Sequence, residues 1–330
     1  MKIKNVNFNN KIYSDYDLQN KHLFKKKAGK AKWYYQLVFK ENLDKDLKAL
    51  HEIYKLGIPF KILGLHTNLY ITDNGYNGIF VDISHKNAKI IFDEENKTFT
   101  VTSNVTVSEF INYAMEKGYD FSDFAGVPGF VGSGVVGNSG FGPSKKDFSN
   151  FVQEITVYDF EKGNITKINP DKEFFEERNS FIKQQNKTRT RYFIKEVVLK
   201  LDCIEKNIIK EKFDAQITKR EKSLKFGFQE GTAGSLWSNA HLRKIVGKSF
   251  PNMLRENSII NANFNGATYS PNGSHLFITQ ENTSDKDVAQ LFIHTIKKVK
   301  EIYNVDLHKE VIILDSDGEI DLKTFIERNK

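Results

Sequence analysis

Residues Gly126 to Gly142 read GVPGFVGSGVVGNSGFG, seven glycines and one proline in seventeen positions. Glycine lacks a Cβ, so such a run admits positive φ and lets main-chain amides come close to a ligand, as in a pyrophosphate cradle. The segment is the first candidate for a cofactor site. Within it, Gly132-Ser-Gly134-Val-Val-Gly137 spells GxGxxG. A dinucleotide-binding βαβ unit needs a buried strand just before those glycines and a helix just after them. Here Gly126, Pro128 and Gly129 precede them and Asn138-Ser-Gly-Phe-Gly-Pro143 follows, which cannot open a long helix. That argues against a doubly wound fold and leaves open a purely structural glycine loop.

Working outward, Leu43, Leu47, Leu50 and Tyr54 fall at helical spacing, with Asn42 to cap and Gly57 and Pro59 to stop. Short strands are predicted over 60–63, 69–71, 79–83, 90–92 and 98–101, separated by turn chemistry such as Asp73-Asn-Gly75. Thr106-Val-Ser-Glu109 is a capping box opening a helix to Met115, with Gly118 beyond its end. A hairpin is expected from Val152–Phe160 and Ile165–Ile168, and a long strand from Tyr192 to Leu201. The charged stretch 204–225 suits a helix, Ser284 or Asp285 caps a later one, and Val311–Leu314 reads as a strand, with Glu310 in that strand between Leu307 and Val311. Strands and helices mixed in this way argue for α+β architecture.

The chain has 330 residues, enough for two or three units. Its 49 Lys+Arg against 42 Asp+Glu give a net charge of +7, spread among acidic residues. The densest basic run, Lys25-Lys26-Lys27, reads as a solvated face or an anion rim, and no nucleic-acid partner is expected. The one cysteine, Cys203, excludes an internal disulfide framework, and its place at the end of an alternating strand reads as a buried, inert thiol. No histidine spacing asks for a metal, and Asp315–Asp321 lacks the strongest ligands of a calcium loop. With no apolar leader or span in view, a cytoplasmic protein without membrane contact is expected.

Gly126-Val-Pro-Gly-Phe-Val-Gly-Ser-Gly134, ending in Asn138-Ser-Gly140, resembles the flavin loop of the UDP-N-acetylenolpyruvoylglucosamine reductase family. Four more segments follow the family's order. They are Leu63-Gly-Leu-His-Thr-Asn68, Glu176-Glu-Arg-Asn-Ser-Phe-Ile-Lys183, Thr232-Ala-Gly-Ser-Leu-Trp-Ser-Asn239 and Leu307-His-Lys-Glu-Val311. The resemblance spans about Gly29 to Ile313. It implies FAD as cofactor, NADPH as hydride donor and a UDP-sugar substrate whose enolpyruvyl ether becomes the lactyl ether of UDP-N-acetylmuramate, for peptidoglycan. By the same resemblance FAD is held by Gly64, His66, Thr67, Asn68, Gly126, Val127, Pro128, Gly129, Gly132, Ser133, Gly134, Asn138, Ser139 and Gly140.

Reduction of that ether puts negative charge beside a carboxylate, so it needs a cation at the carboxylate, a proton donor and a polarising group. The resemblance assigns these roles to Arg178, Ser235 and Glu310, with Arg178 and Asn239 binding substrate. Surface pairing for Arg178, a turn role for Ser235 and a solvent-facing edge for Glu310 are the plain alternatives.

Two glycines of the family's triple-glycine turn are Leu65 and His66 here, and the family's proline after the late asparagine is Ala240. His66 either touches the cofactor, fills space, or attaches FAD covalently as in some relatives of the wider superfamily. The expected fold is α+β, with a two-lobed FAD-binding region of the vanillyl-alcohol-oxidase type at 1–203 (lobes about 1–84 and 85–203). A C-terminal α+β substrate domain at 204–314 and a tail or short helix at 315–330 complete it, in a monomer. A paralogous flavin oxidoreductase on another nucleotide sugar, and a non-catalytic nucleotide-sugar-binding relative, are the competing functions.

Overall fold

The structure, a computed structural model, describes residue 3 and residues 6–140, 146–187, 189–223, 232, 234–270 and 276–330, with the main chain alone at 222–223 and 239–241. The chain forms two compact units, and each is woven from separated segments. The first comprises Met1–Ser14, Lys32–Leu65 and Gly78–Lys219, the second Asp15–Ala31, His66–Asn77 and Arg220–Lys330.

In the first unit an antiparallel five-stranded sheet runs in the order Asn164–Ile168, Val152–Asp159, Tyr192–Lys200, Thr98–Thr102, Ile90–Asp93. Alternation along the inner strands buries Phe99, Val101, Ile155, Val157, Val197 and Leu199. Phe110, Ile111 and Ala114 of the helix Val107–Lys117 join the same cluster. That helix starts where the sequence says it should. Thr106 accepts from the Glu109 amide and Glu109 reaches back to the Thr106 amide, while Gly118 closes the far end at φ +85°. A second layer pairs the helix Leu43–Lys55 with a smaller sheet in which Phe60–Leu63 runs parallel to Tyr76–Ile83. Leu43, Leu47, Leu50 and Ile53 face that core.

The second unit has its own apolar core around the fully buried Trp237, Phe250, Tyr269, Phe292 and Phe325. Ile312–Asp315 pairs antiparallel with Gly318–Ile320 and parallel with Leu69–Ile71, so a strand from the first quarter of the chain completes a sheet made at its end. The helix Asp285–Tyr303 opens on the capping pair Ser284 and Asp287. Residues 315–330, expected as a tail or short helix, contribute the strand Gly318–Ile320 and the helix Leu322–Arg328.

Four expectations are corrected. Lys26, read as part of a solvated basic run, is fully buried. Its ammonium donates to Asp73 Oδ1 at 2.6 Å, Asp285 Oδ1 at 3.0 Å and the Lys27 carbonyl at 3.0 Å, so all three of its protons are engaged. Cys203 is exposed, because the inward alternation ends at Leu201 and Asp202–Cys203 forms a short outward pair with Tyr119–Asp120. Glu310 precedes its strand, which begins at Ile312. Inside the glycine run, Val131–Val136 forms a six-residue helix where a loop was expected. No buried strand leads into it, and it ends at Gly137. Among the described residues no helix is long and apolar enough to cross a membrane, and no cluster of three metal-ligating side chains occurs.

Candidate functional site

In the first unit the glycine run is pinned from outside as well as by its own helical bonds from Gly134 to Phe130 and Gly137 to Ser133. The Val131 amide donates to the Val105 carbonyl at 2.8 Å and the Gly132 amide to the Ser103 carbonyl at 3.0 Å. Gly126 and Gly129 take φ +74° and +117°, conformations that side chains rarely adopt. A Cβ on Gly132 would lie 2.4 Å from Ser103 Cβ, and one on Gly134 would lie 2.4 Å from the Phe148 ring. The glycines at 132 and 134 are therefore demanded by packing, apart from any ligand.

Gly64 belongs to the other turn, and it meets this one. A Cβ there would stand 2.4 Å from Ser133 Oγ and 3.3 Å from the Phe130 ring. The two turns thus touch through an absent Cβ. Of the other residues in the family's triple-glycine turn, Leu65 is exposed and His66 takes φ +59°. His66 thus keeps a glycine-like backbone at a cost of about 1 kcal/mol. The main chain and hydroxyls present fit FAD.

The end of the run is fastened to the arginine segment. Asn138, buried and at φ +41°, donates its amide to the Glu176 carbonyl at 2.9 Å and accepts from the Ser149 amide at 3.1 Å. Its side chain is thereby spent on protein, and its main-chain amide donates to the Val135 carbonyl at 3.2 Å. Ser139 and Gly140 continue the turn, with the Ser139 amide donating to the Gly134 carbonyl at 2.8 Å and Gly140 bridging Asp147. Ser180 Oγ donates to the Val136 carbonyl at 2.7 Å. Between these two ties lies the two-residue turn Glu177-Arg178 of a small hairpin, with Arg178 at φ +58° and its carbonyl accepting from Lys183 Nζ at 2.8 Å. Val127 and Pro128 stand on the approach to the helix, where the Val127 amide donates to the Phe124 carbonyl.

In the second unit three segments carrying other candidates are laced together. Asn68 Nδ2 donates to the Glu310 carbonyl at 3.1 Å, and the Ile312 amide donates to the Asn68 carbonyl at 3.1 Å. The Glu310 amide donates to the Leu236 carbonyl at 2.7 Å, and the Ser238 amide to the His308 carbonyl at 2.8 Å. Ser235, next to Leu236, bridges Leu276. Gly234 at φ +84° would place a Cβ 3.5 Å from the Thr67 carbonyl. Ser235 and Glu310 are each half-buried, an exposure that suits groups meeting a ligand. The main chain of Asn239 opens the helix Asn239–Val246; its side chain lies outside the described residues, as do Gly231, Ala233, Lys225 and the run from Phe141 to Gly142.

Nearby in the same unit, His22 Nε2 donates to the Lys26 carbonyl at 3.0 Å, while its buried Nδ1 has no partner among the described residues. Burial, aided by the Lys26 ammonium, lowers its pKa to about 4. Burial also raises the Asp285 carboxyl above its ordinary value, against the pull of Lys26. Residue types alone had pointed to neither group. Ser103, Phe130 and Phe148 were missed likewise, since the contact each makes with a missing Cβ belongs to tertiary packing and leaves no local pattern.

Residues 36–169 match a family described as FAD binding domain. The chain is 30% identical over 281 residues to the UDP-N-acetylenolpyruvoylglucosamine reductase of Petrotoga mobilis, covering 83% of this chain and 86% of that one. It is 26% identical over 305 residues to the enzyme of the same name from Geobacillus kaustophilus, covering 92% and 93%. Among solved structures, the UDP-N-acetylenolpyruvylglucosamine reductase of Thermus caldophilus superposes with a TM-score of 0.67 at 17% identity, over 92% of this chain and 98% of that one. This last likeness shows the fold.

Proposed function

Because the chain belongs to the UDP-N-acetylenolpyruvoylglucosamine reductase family, we propose that it reduces the enolpyruvyl ether of UDP-N-acetylglucosamine to UDP-N-acetylmuramate, using FAD and NADPH. The observation that supports this most is the tie between Glu310 and Leu236, at 2.7 Å through the main chain. It sets a carboxyl and the Ser235 hydroxyl on adjoining segments of one unit. FAD, when bound, supplies the hydride carrier between nicotinamide and sugar.

The chain's own residues do the rest. The loop residues Gly64, Gly126, Gly129, Gly132–Gly134, Asn138, Ser139 and Gly140, with Thr67, Asn68 and the Ser133 hydroxyl, hold the cofactor. The amides of Gly132, Gly134, Asn138 and Ser139 are already given to protein carbonyls, so those four residues shape the cradle rather than donate to it. Arg178 meets the substrate carboxylate, since its planar fork donates two parallel bonds and stays charged at working pH. Ser235 hands its proton to the carbon beside that carboxylate. Glu310 polarises the charge that builds there, and Asn239 binds the nucleotide part. A serine is a weak acid, so the electrostatics around it carry much of the barrier. Soluble nicotinamide and a nucleotide sugar as substrates go with a cytoplasmic location.

The test is spectroscopic. Purified protein should show flavin bands, bleach with NADPH without air, and regain colour on adding the enolpyruvyl sugar. Ser235→Ala should slow that recovery by about 10²–10⁴-fold. A colourless protein, or bleached flavin that the sugar leaves unchanged, would overturn the reading.

A further inference from the structure

Both main-chain groups of Glu310 are held. Its amide donates to the Leu236 carbonyl at 2.7 Å and its carbonyl accepts from Asn68 Nδ2 at 3.1 Å. Asn68 is itself anchored, because its carbonyl accepts the Ile312 amide and Leu69–Ile71 then runs parallel to Ile312–Leu314. Fixing the peptide planes on either side of a residue fixes its Cα and the direction in which its side chain leaves. One asparagine thereby decides where the Glu310 carboxyl starts from, relative to the segment of Ser235.

We propose that Asn68 is a positioning residue for the reduction step, acting through the Glu310 carbonyl, in addition to any contact its backbone makes with the cofactor. The proposal rests on the reductase reading for its chemistry, but the coupling it describes is geometric. The same side chain cannot give this N–H to a flavin and to Glu310 at once. The link is made by a side chain, whereas the parallel pairing of Leu69–Ile71 with Ile312–Leu314 is made by main chain.

Two variants separate the possibilities. Asn68→Asp keeps the shape but exchanges the donor for a carboxylate facing a carbonyl, and Asn68→Gln keeps the donor one methylene further out. In the flavin-loaded full chain, Asn68→Asp should lower kcat for the enolpyruvyl sugar by about 10–100-fold, the order expected for a displaced catalytic group. Its KM should change less than threefold, and Asn68→Gln should recover part of kcat. Independently of turnover, hydrogen–deuterium exchange across residues 307–312 should quicken in Asn68→Asp by about tenfold relative to Asn68→Gln.

Wild-type exchange in both variants would overturn the coupling. So would a loss confined to flavin content, with the loaded fraction turning over normally. If the wild type itself ignores the sugar, the reductase reading fails, and the exchange comparison still decides whether Asn68 holds Glu310.

Discussion

Gly64 presents its bare Cα to the side chain of Ser133, so closely that a methyl group on it would stand 2.4 Å from the serine Oγ. Gly64→Ala should force the hydroxyl aside and press on Phe130, lowering stability by about 1–3 kcal/mol. Removing the hydroxyl with Ser133→Ala in the same chain should restore most of it. Gly132→Ala should cost more, because its Cβ would meet the Ser103 main chain at 2.9–3.1 Å, overriding the usual helix gain of about 1 kcal/mol from alanine. Urea unfolding of the three variants gives the order.

Protonating His22 has no place to put the second proton. Its pKa is about 4 in the folded chain, against 6.5 ordinarily. Between those values the unfolded chain binds more protons, so this contribution is whole above pH 6.5 and is lost as pH falls to 4. The full loss is about 3 kcal/mol. His22→Gln should flatten that part of the stability profile, read as the difference between the two chains at pH 7.5 and 4.5. Parallel profiles would refute the assignment.

Lys26 is fully buried between Asp73 and Asp285. Lys26→Met strands the buried Asp285 carboxyl and should cost about 3–5 kcal/mol, whereas pairing it with Asp285→Asn should give back a good part. Denaturant midpoints for the single and double variants test this. A double variant no better than the single one would show that the pair itself stabilises.

Asn138→Ala removes the donor to the Glu176 carbonyl and the acceptor for the Ser149 amide, and leaves alanine at φ +41°. A loss of about 1–3 kcal/mol is expected from two part-buried bonds, one of whose partners, the Ser149 amide, keeps Asp147 as acceptor, and from the backbone conformation. If the hairpin also sets Arg178, KM for the enolpyruvyl sugar should rise, as it should in Arg178→Lys, where the planar fork is lost. Steady-state kinetics of the two variants provide the comparison.

Cys203 should react with a maleimide in the folded protein, and Cys203→Ser should shift stability by less than about 0.5 kcal/mol. Labelling that requires denaturant would contradict its exposure.

Local chemistry was legible in the sequence. The Thr106–Glu109 box and the leucines of Leu43–Lys55 declare their helices within a few residues, and the main strands show through alternation. What stayed hidden depends on partners far along the chain. The helix Val131–Val136 has poor propensity and stands because Ser103 and Val105 accept its first amides. Lys26 looks solvated until Asp285, 259 positions away, is placed beside it. For the site, the segments around Gly64, Asn68, Arg178, Ser235 and Glu310 were named from a resemblance to a family, not from local pattern. The bond from Asn68 to Glu310 spans 242 positions and has no local mark.

The parallel pairing of Leu69–Ile71 with Ile312–Leu314 governs how this protein can be made. On the ribosome, three residues that end up buried emerge early and must wait for nearly the entire polypeptide before their neighbour exists. A nascent chain stopped short of Ile312 would carry a bare sheet edge, prone to clumping. Any shortened version intended for expression has to keep both ends of that pairing.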